Sequence, residues 1–223
     1  MIPNVIHFIW MTKEAARMED PIPDEVRDQI FRWHHHASDC AIRCWSWADF
    51  EELMDDAEGR RTIELIRACR LNAMKADIMR LAIIARLGGI WSDVKNRPRI
   101  DLRGQLPLQE KLFIAEHWPI PQKPDTTGFY SNSFFGAEAD NGFINATLAF
   151  ALEKVAARSA EDSIPWITGG GVFTRLARRE GMEQPYPIRA QLCWQDWIQR
   201  VGMEYNKGGK HWSERQKSEP LYA

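Results

Sequence analysis

The segment from Asn72 to Asp93 constrains the fold more than any other part of the sequence. Apolar residues recur there at steps of three and four, as one face of a helix requires: Met74, Ile78, Leu81, Ala82 and Ala85. Asn72 is of a type that caps helix starts, and Gly88 and Gly89 stand where a left-handed residue would end the helix. Residues 90–94, Ile-Trp-Ser-Asp-Val, then predict a short strand. A helix that leads directly into a strand favours an α/β fold.

The rest of the chain alternates predicted strands with predicted helices. The strands are Val5–Trp10, Ala41–Trp47, Lys111–Ala115 and Ser133–Ala137, and the helices are Asp24–Trp33, Asp49–Asp56, Thr62–Arg70, Gly142–Ser159 and Gly171–Arg179. Loops are predicted over Trp118–Asp125 and over the polar tail 206–223. We therefore expect one domain over residues 1–223, with a mainly parallel central sheet flanked by helices. Ligands of such sheets bind at the carboxyl ends of strands, so the loops after Trp10 and Val94 are the expected site.

Composition excludes several classes of protein. The 223 residues are 44% apolar, which excludes intrinsic disorder, and the formal net charge of -2 argues against a nucleic-acid partner. No stretch approaches the ~20 apolar residues that a membrane span requires. The start, Met1 to Val5, has neither a basic segment nor a long apolar one, so no secretory signal is expected. Four cysteines in a chain of this length do not predict a disulfide framework, and a cytoplasmic location is the simpler expectation.

Three stretches resemble motifs of glycosyltransferase family 32, a group of sugar transferases with a DxD-type motif. The opening Ile2–Trp10, IPNVIHFIW, is similar to the family's IPKIIHQIW. The middle, Ala73–Arg80 and Gly88–Asp93, reads AMKADIMR and GGIWSD and is similar to A-x-K-S-D-x-x-R followed by G-G-I-Y-x-D-x-D. The segment Lys210–Ser213, KHWS, resembles the family's C-terminal H-H-W more weakly. The middle block is the most specific of the three.

The resemblance implies a GT-A-like nucleotide-binding fold and a hexosyltransferase-like activity. The donor would be a nucleotide-diphospho-sugar, with UDP or GDP as the nucleotide, and the sugar would be transferred with retention. The acceptor would be a glycan or a lipid-linked molecule, in polysaccharide or glycolipid biosynthesis. Nucleotide-sugar binding is expected mainly within residues 1–100, and the acceptor side with the C-terminal loop within residues 101–223.

The resemblance also assigns residues to the donor. Residues that match Asp77 and Arg80 contact the donor sugar in the family, and the tryptophan that matches Trp10 stacks on the base. The alternative for Trp10 is a core tryptophan at the end of a strand. Asn132, with Ser133 beside it, is similar to the family's N-A-F stretch and would line the donor pocket, unless it is a turn asparagine. The C-terminal match adds His211, Trp212 and Ser213 to the donor-binding residues.

The spacing of the acidic and basic residues is consistent with these roles. Asp77 and Arg80 are three apart on the predicted helix and so share one edge of it. The following strand would bring Asp93 back towards them. Carboxylates bind sugar hydroxyls and a guanidinium binds phosphate or sugar oxygens. The alternative interpretation of Asp77 and Arg80 is a surface ion pair with little energetic effect.

Lys95 departs from the family pattern, because it stands where the second aspartate of the motif belongs. Two aspartates two apart would face the same divalent ion. Lysine cannot bind Mn²⁺ or Mg²⁺, so a metal at Asp93 is in doubt, and no organic cofactor is expected. The catalytic candidates are Asp93, Lys95 and Arg80. If the chain stays extended, Arg97 and Arg99 join Lys95 on the side of Asp93, where cations could neutralise a leaving diphosphate. The alternative is a catalytically silent protein that binds nucleotide sugar or glycan.

Two further motifs invite a ligand-binding interpretation. His34–His36 with Cys40 and Cys44 has the residue types of a zinc site, but Cys44 lies in a predicted strand and no fourth ligand is evident, so zinc is disfavoured. The segment Thr168–Gly171 precedes a predicted helix, as phosphate-binding loops do, yet it lacks the lysine of a P-loop. The family has a T-G-P element near this position that shapes the acceptor side.

Two more groups are candidates by position alone. Glu116 and His117 follow a predicted strand and could face the acceptor. A basic helix face is formed by Arg175, Arg178 and Arg179. Such a face is either solvated or in peripheral contact with an anionic membrane surface, where lipid-linked acceptors reside.

Overall fold

The structure, a computed structural model, describes residues 1–11, 21–117, 129–160, 162–204 and 211–223. Its strands are β1 Val5–Ile9, β2 Ala41–Trp45, β3 Gly89–Ser92, β4 Asn96–Pro98, β5 Leu112–Glu116, β6 Tyr130–Ala137, β7 Tyr186–Ile188 and β8 Ile198–Arg200. Its helices are α1 Asp24–His36, α2 Trp47–Leu53, α3 Ala57–Ala68, α4 Asn72–Leu87, α5 Gly142–Ala156, α6 Ile164–Ile167, α7 Gly170–Ala177 and α8 Trp212–Arg215. A π-helical segment, Leu192–Trp197, precedes β8.

Six strands form the central sheet in the order β2-β1-β3-β6-β5-β7, while β4 and β8 form a separate two-stranded ribbon. The pairs β2-β1, β1-β3 and β5-β7 are parallel, and only β6 runs antiparallel to its two neighbours within this described sheet. The prediction of an α/β fold with a mainly parallel sheet is therefore confirmed. Because β6 is reversed, its first residues lie at the edge where β3 and β5 end, since Ser92 pairs with Phe134 and Glu116 pairs with Tyr130.

Helix α4 has the predicted bounds, but the prediction about its cap is wrong. Asn72 is the first residue of the helix, the cap position is Leu71, and no side chain caps it. The predicted glycine stop is confirmed, with φ of 65° at Gly88 and 102° at Gly89. A Cβ on Gly88 would lie 2.6 Å from the Ala139 nitrogen, because the turn passes close to the segment that follows β6. Both backbone angle and space therefore require glycine at this turn.

Two apolar layers cover the two faces of the sheet. Helices α3, α4, α5 and α7 pack on one face, and α1 with the segment around Trp197 packs on the other. Trp33, Trp45 and Trp91 are fully buried in these layers. These three tryptophans thus serve the core.

Several element boundaries differ from those predicted. Helix α2 begins at Trp47, because Ser46 and Asp49 form a capping box that fixes its start. The predicted surface loop at the C-terminus contains α8 within the described residues 211–223, which is a correction, while residues 206–210 lie outside the described residues. The loop predicted over residues 118–125 also lies outside them. In the part of the chain that is described, no helix has the length and apolar character needed to cross a bilayer.

Candidate functional site

Asp77, Arg80, Asp93 and Asn132 form a polar cluster at the carboxyl edge of the sheet. Arg80 Nη2 lies 3.3 Å from Asp77 Oδ1, and Arg80 Nη1 lies 3.3 Å from Asp93 Oδ1. Arg80 Nη1 also donates to the Asn132 carbonyl oxygen at 2.7 Å. The side chains of Asp77 and Arg80 are only 10% and 8% exposed. The predicted return of Asp93 towards α4 is confirmed, and the alternative of a solvated surface pair is excluded.

The carboxylate of Asp77 is held by three different side chains. Its Oδ1 accepts from Asn132 Nδ2 at 2.7 Å and pairs with Arg80, while its Oδ2 accepts from Thr168 Oγ1 at 3.0 Å. Burial raises the pKa of Asp77, and the positive charge of Arg80 opposes this shift. An ionised carboxylate offers about four acceptor positions, so these contacts leave capacity for a substrate hydroxyl.

Asp93 is the more accessible of the two carboxylates. Its side chain is 26% exposed, and its Oδ1 accepts from the indole Nε1 of Trp91 at 3.0 Å. The backbone nitrogen of Asp93 donates to the Ser133 carbonyl oxygen at 2.9 Å, which attaches the end of β3 to β6. Asp93 therefore lies at the open side of the cluster, where a ligand can reach it.

The chain turns immediately after Asp93. The Asn96 nitrogen donates to the Asp93 carbonyl oxygen at 2.9 Å, which closes a β-turn. The expectation that an extended chain groups Arg97 and Arg99 with Lys95 is therefore wrong. Arg97 Nε donates to Gln29 Oε1 at 3.1 Å on α1, and Arg99 Nη1 donates to the carbonyl oxygen of residue 195 at 2.8 Å.

Another cation, Arg200, lies beside Lys95 in place of those two arginines. Asn96 of β4 pairs with Arg200 of β8, and the Val201 nitrogen donates to the Lys95 carbonyl oxygen at 2.9 Å. The pKa of His211 is lowered, first by partial burial and then by the positive charges of Lys95 and Arg200. We call Lys95 and Arg200 the cationic group, because the lowered pKa of His211 leaves its ring uncharged near neutral pH. It lies on the chain segment that follows Asp93 and on the ribbon strand paired with it.

The acidic residues do not fit a divalent ion held by protein carboxylates. Asp93 is the one aspartate of its motif, its Oδ1 already contacts Arg80 and Trp91, and Lys95 stands at the second ligand position. Within the described ranges, no group of three His, Cys, Asp or Glu side chains could hold a metal ion. At the disfavoured zinc motif, His36 Nδ1 is hydrogen-bonded to the Ile100 carbonyl oxygen. The Cys40 thiol is buried and forms no disulfide.

The remaining predicted donor residues differ in their exposure and surroundings. Trp10 follows β1 and is 8% exposed, packed in the apolar layer beneath α1. His211 caps the start of α8, where its ring accepts from the Ser213 nitrogen at 3.3 Å. Trp212 is partly buried against the apolar layer that contains α4. Asn132 lies in β6 and is not a turn residue. Donor contacts of these side chains stay predictions.

Thr168 belongs to the segment Thr168–Gly171 that the resemblance places on the acceptor side, whereas Arg200 is a site residue that the sequence did not indicate. Thr168 is fully buried and donates to Asp77, and a Cβ on the next residue, Gly169, would lie 3.2 Å from Asp77 Oδ2. Thr168 therefore supports a carboxylate of the polar cluster, and a role of this segment on the acceptor side stays a prediction. No local pattern indicates Arg200, because its position depends on the pairing of β4 with β8.

The prediction of a helix face with Arg175, Arg178 and Arg179 is only partly right, because α7 ends at Ala177, Arg178 is its C-terminal cap and Arg179 follows. Arg175 Nη2 lies 3.7 Å from Asp162 Oδ2, and its guanidinium carbon lies 5.5 Å from the centre of the Trp166 ring. The guanidinium carbon of Arg178 lies 5.2 Å from the Phe129 ring. Contact of this face with a membrane stays a prediction.

A cavity of about 310 Å³ opens next to the cluster. The described residues that line it are His117, Ser131, Trp194, Gln195 and Arg200. Ser131 directly precedes Asn132 in β6, so the cavity and the polar cluster share the first residues of that strand. His117 was expected to face the acceptor, and it lies at this cavity, whereas Glu116 Oε2 accepts from the Ala190 nitrogen at 3.3 Å.

Comparison with solved structures identifies the fold. The structure resembles one described as PaToxG glycosyltransferase, with a TM-score of 0.55 and 17% identity over 81% of this chain and 70% of the other. The chain has a GT-A-like glycosyltransferase fold. The ligand-free glycosyltransferase domain from the YGT toxin matches with a TM-score of 0.44 and 12% identity, over 84% of this chain and 79% of the other. No protein-family model and no curated protein matches the sequence significantly.

Proposed function

We propose that the protein is a glycosyltransferase that binds a nucleotide-diphospho-sugar and transfers the sugar with retention, as the resemblance to family 32 implies. The observation that carries the proposal is the buried network of Asp77, Arg80, Asp93 and Asn132 at the carboxyl edge of a GT-A-like sheet. Burying charged groups costs several kcal/mol per ion, so such networks favour a functional explanation over a structural one.

Within this proposal the cluster binds the sugar of the donor. Asp77 accepts a hydrogen bond from a sugar hydroxyl through Oδ2, because Asn132 and Arg80 occupy Oδ1. Arg80 holds both carboxylates in place, and Asp93 faces the ligand from the open side. Trp10 stacks on the nucleotide base, with UDP and GDP as the candidate nucleotides. His211, Trp212 and Ser213 complete the donor site from the C-terminal side.

The cationic group provides the charge that a leaving nucleotide diphosphate requires. The leaving group gains negative charge as the glycosidic bond breaks, and fixed cations that face this charge stabilise the transition state. Lys95 stands where members of family 32 have a metal-binding aspartate, and Arg200 adds to its charge. We therefore propose that donor binding depends little on Mn²⁺ or Mg²⁺.

A thermal-shift screen tests donor and metal dependence together. The full chain is mixed with UDP- and GDP-sugars, each with Mn²⁺ or with EDTA, and positive donors are then assayed for sugar release. We expect a shift that EDTA leaves nearly unchanged, and slow donor hydrolysis. Lys95→Ala should weaken binding. Lys111→Ala is the matched control, because Lys111 directly precedes β5 and so lies at the edge of the sheet opposite the polar cluster.

The other outcomes of this screen contradict the proposal in different ways. Loss of the thermal shift in EDTA would restore a metal mechanism. A nucleotide shift without any sugar release would favour the alternative, a silent protein that binds nucleotide sugar or glycan. No shift with any nucleotide sugar would refute donor binding itself.

A further inference from the structure

We propose that the cavity lined by His117, Ser131, Trp194, Gln195 and Arg200 is the acceptor site, and that it binds a pyranose ring of a glycan. This inference rests on the proposed glycosyltransferase function, and it adds the site and the chemical class of the acceptor. We call this site the Trp194 cavity.

Trp194 provides the surface on which a sugar ring would pack. Its indole Nε1 donates to the Glu116 carbonyl oxygen at 2.7 Å, so the polar edge of the ring is tied to the end of β5. The indole is half-buried and lines the cavity, and its polar edge is engaged elsewhere. What it offers a ligand is therefore apolar ring surface, which suits the C–H face of a pyranose.

The other lining residues supply hydrogen-bonding groups of every kind that sugar hydroxyls use. Gln195 can donate and accept through its amide, Arg200 donates, and the His117 imidazole is a further polar group. The Ser131 hydroxyl is already hydrogen-bonded to Ser133 Oγ at 2.8 Å. A pyranose combines apolar faces with a rim of hydroxyls, and this cavity combines an aromatic surface with polar groups. Its volume of about 310 Å³ lies at the low end of the roughly 300–1,000 Å³ typical of small-molecule sites. That size suits one sugar unit held in the cavity.

The position of the cavity next to the donor cluster supports an acceptor role. Asn132 contacts Asp77 and the residue before it, Ser131, lines the cavity, so the two sites adjoin at the start of β6. Arg200 borders the cavity and also belongs to the cationic group beside Asp93. A sugar in the Trp194 cavity would thus lie at the same edge of the sheet as the donor sugar.

Binding of simple glycosides to the full chain tests the proposal. Methyl glycosides of glucose, galactose and N-acetylglucosamine are measured by saturation-transfer-difference NMR, and each is then offered as acceptor with the donor that the thermal-shift screen selects. We expect at least one glycoside to bind and to accept sugar. Trp194→Ala should weaken its binding at least about tenfold, and should reduce transfer by a similar factor while donor hydrolysis is retained.

Two further variants keep the test decisive. Phe31→Ala removes an exposed aromatic side chain from α1 and should change neither glycoside binding nor transfer. If Trp194→Ala does not fold, Gln195→Ala replaces it, because residue 195 is exposed at the cavity and its side chain is expendable for packing.

The possible failures are distinguishable. Donor hydrolysis without binding of any glycoside, or transfer to a protein acceptor that Trp194→Ala leaves unchanged, would overturn the acceptor site and leave the proposed function standing. Glycoside binding without any nucleotide-sugar binding or hydrolysis would overturn the proposed function, and with it the assignment of this cavity as an acceptor site.

Discussion

His7 makes the stability of the protein sensitive to acid. It lies in β1 with 3% of its surface exposed, and its Nδ1 accepts from the indole Nε1 of Trp45 at 3.0 Å. Since an indole nitrogen only donates, the proton of the neutral ring is on Nε2, which donates to the Gly88 carbonyl oxygen at 3.0 Å. Burial lowers the pKa of His7 from 6.5 to about 4, against the opposing effect of the Gly88 bond.

The direction of the effect follows from the two pKa values. The unfolded chain takes up a proton at His7 near pH 6.5, whereas the folded protein does so only near pH 4. The free energy of unfolding therefore falls as the pH falls through this window, by roughly 3 kcal/mol in full. Against a typical total of about 5–15 kcal/mol, this is a large share. The contribution is fully present above pH 6.5.

Urea unfolding at several pH values between 4.5 and 8 measures this linkage. His7→Gln should be less stable than the wild type at pH 8, because it disturbs the bonds to Trp45 and Gly88, but its stability should fall less between pH 6.5 and 4.5. His35→Gln, which removes an exposed histidine, is the matched control and should keep the wild-type slope. An unchanged slope in His7→Gln would show that burial of this ring does not cause the acid sensitivity.

Two predictions concern the donor. Trp10→Ala should weaken nucleotide binding about tenfold or more, since stacking of a base on an aromatic ring contributes ~1–3 kcal/mol; unchanged affinity in a folded variant, measured by calorimetry, would contradict the base-stacking assignment. Asp77→Asn should reduce donor hydrolysis far more than it lowers the melting temperature, because the charge is lost while the shape of the side chain is kept; a large loss of stability with full activity per folded molecule would make Asp77 a structural residue.

The sequence was most informative where structure is determined locally. The bounds of α4 follow from its apolar period and from two glycines that only a left-handed turn explains. The start of the same helix was assigned to the wrong cap, because Leu71 is buried and the helical conformation already includes Asn72, whose side chain then cannot cap it. Boundaries that depend on packing are not visible in a local pattern.

The candidate site was likewise predictable only where the local sequence determines the geometry. Asp77, Arg80 and Asp93 come together because a helix and the strand after it return the chain to one edge. The failure at Arg97 and Arg99 arose because a β-turn reverses the chain after Asp93. Thr168 reaches Asp77 across 91 residues, and Arg200 reaches the site through a ribbon of two short strands. Such contacts depend on tertiary structure, and neighbouring residues give no signal of them.

Arg80 gives the sharpest test of the cluster, because its shape matters as well as its charge. One guanidinium contacts both carboxylates and the Asn132 carbonyl oxygen at once, through Nη1 and Nη2. Lysine keeps the positive charge, but its single ammonium cannot reproduce this planar fork. At least one buried acceptor would therefore lose its partner, at a cost of about 1–3 kcal/mol.

We accordingly expect Arg80→Lys to fold with a moderately lower stability and to lose most donor hydrolysis, by roughly ten- to a hundredfold, the equivalent of about 1.4–2.8 kcal/mol in the transition state. Arg86→Lys is the matched control, since Arg86 lies on the same helix and bridges Asp56 Oδ2 at 2.7 Å and the Leu53 carbonyl oxygen at 3.1 Å away from the site. Arg86→Lys should lower the stability of the protein and leave donor hydrolysis per folded molecule unchanged. If Arg80→Lys hydrolyses donor at the wild-type rate per folded molecule, the charge of Arg80 suffices and the fork that joins the two carboxylates has no role in catalysis.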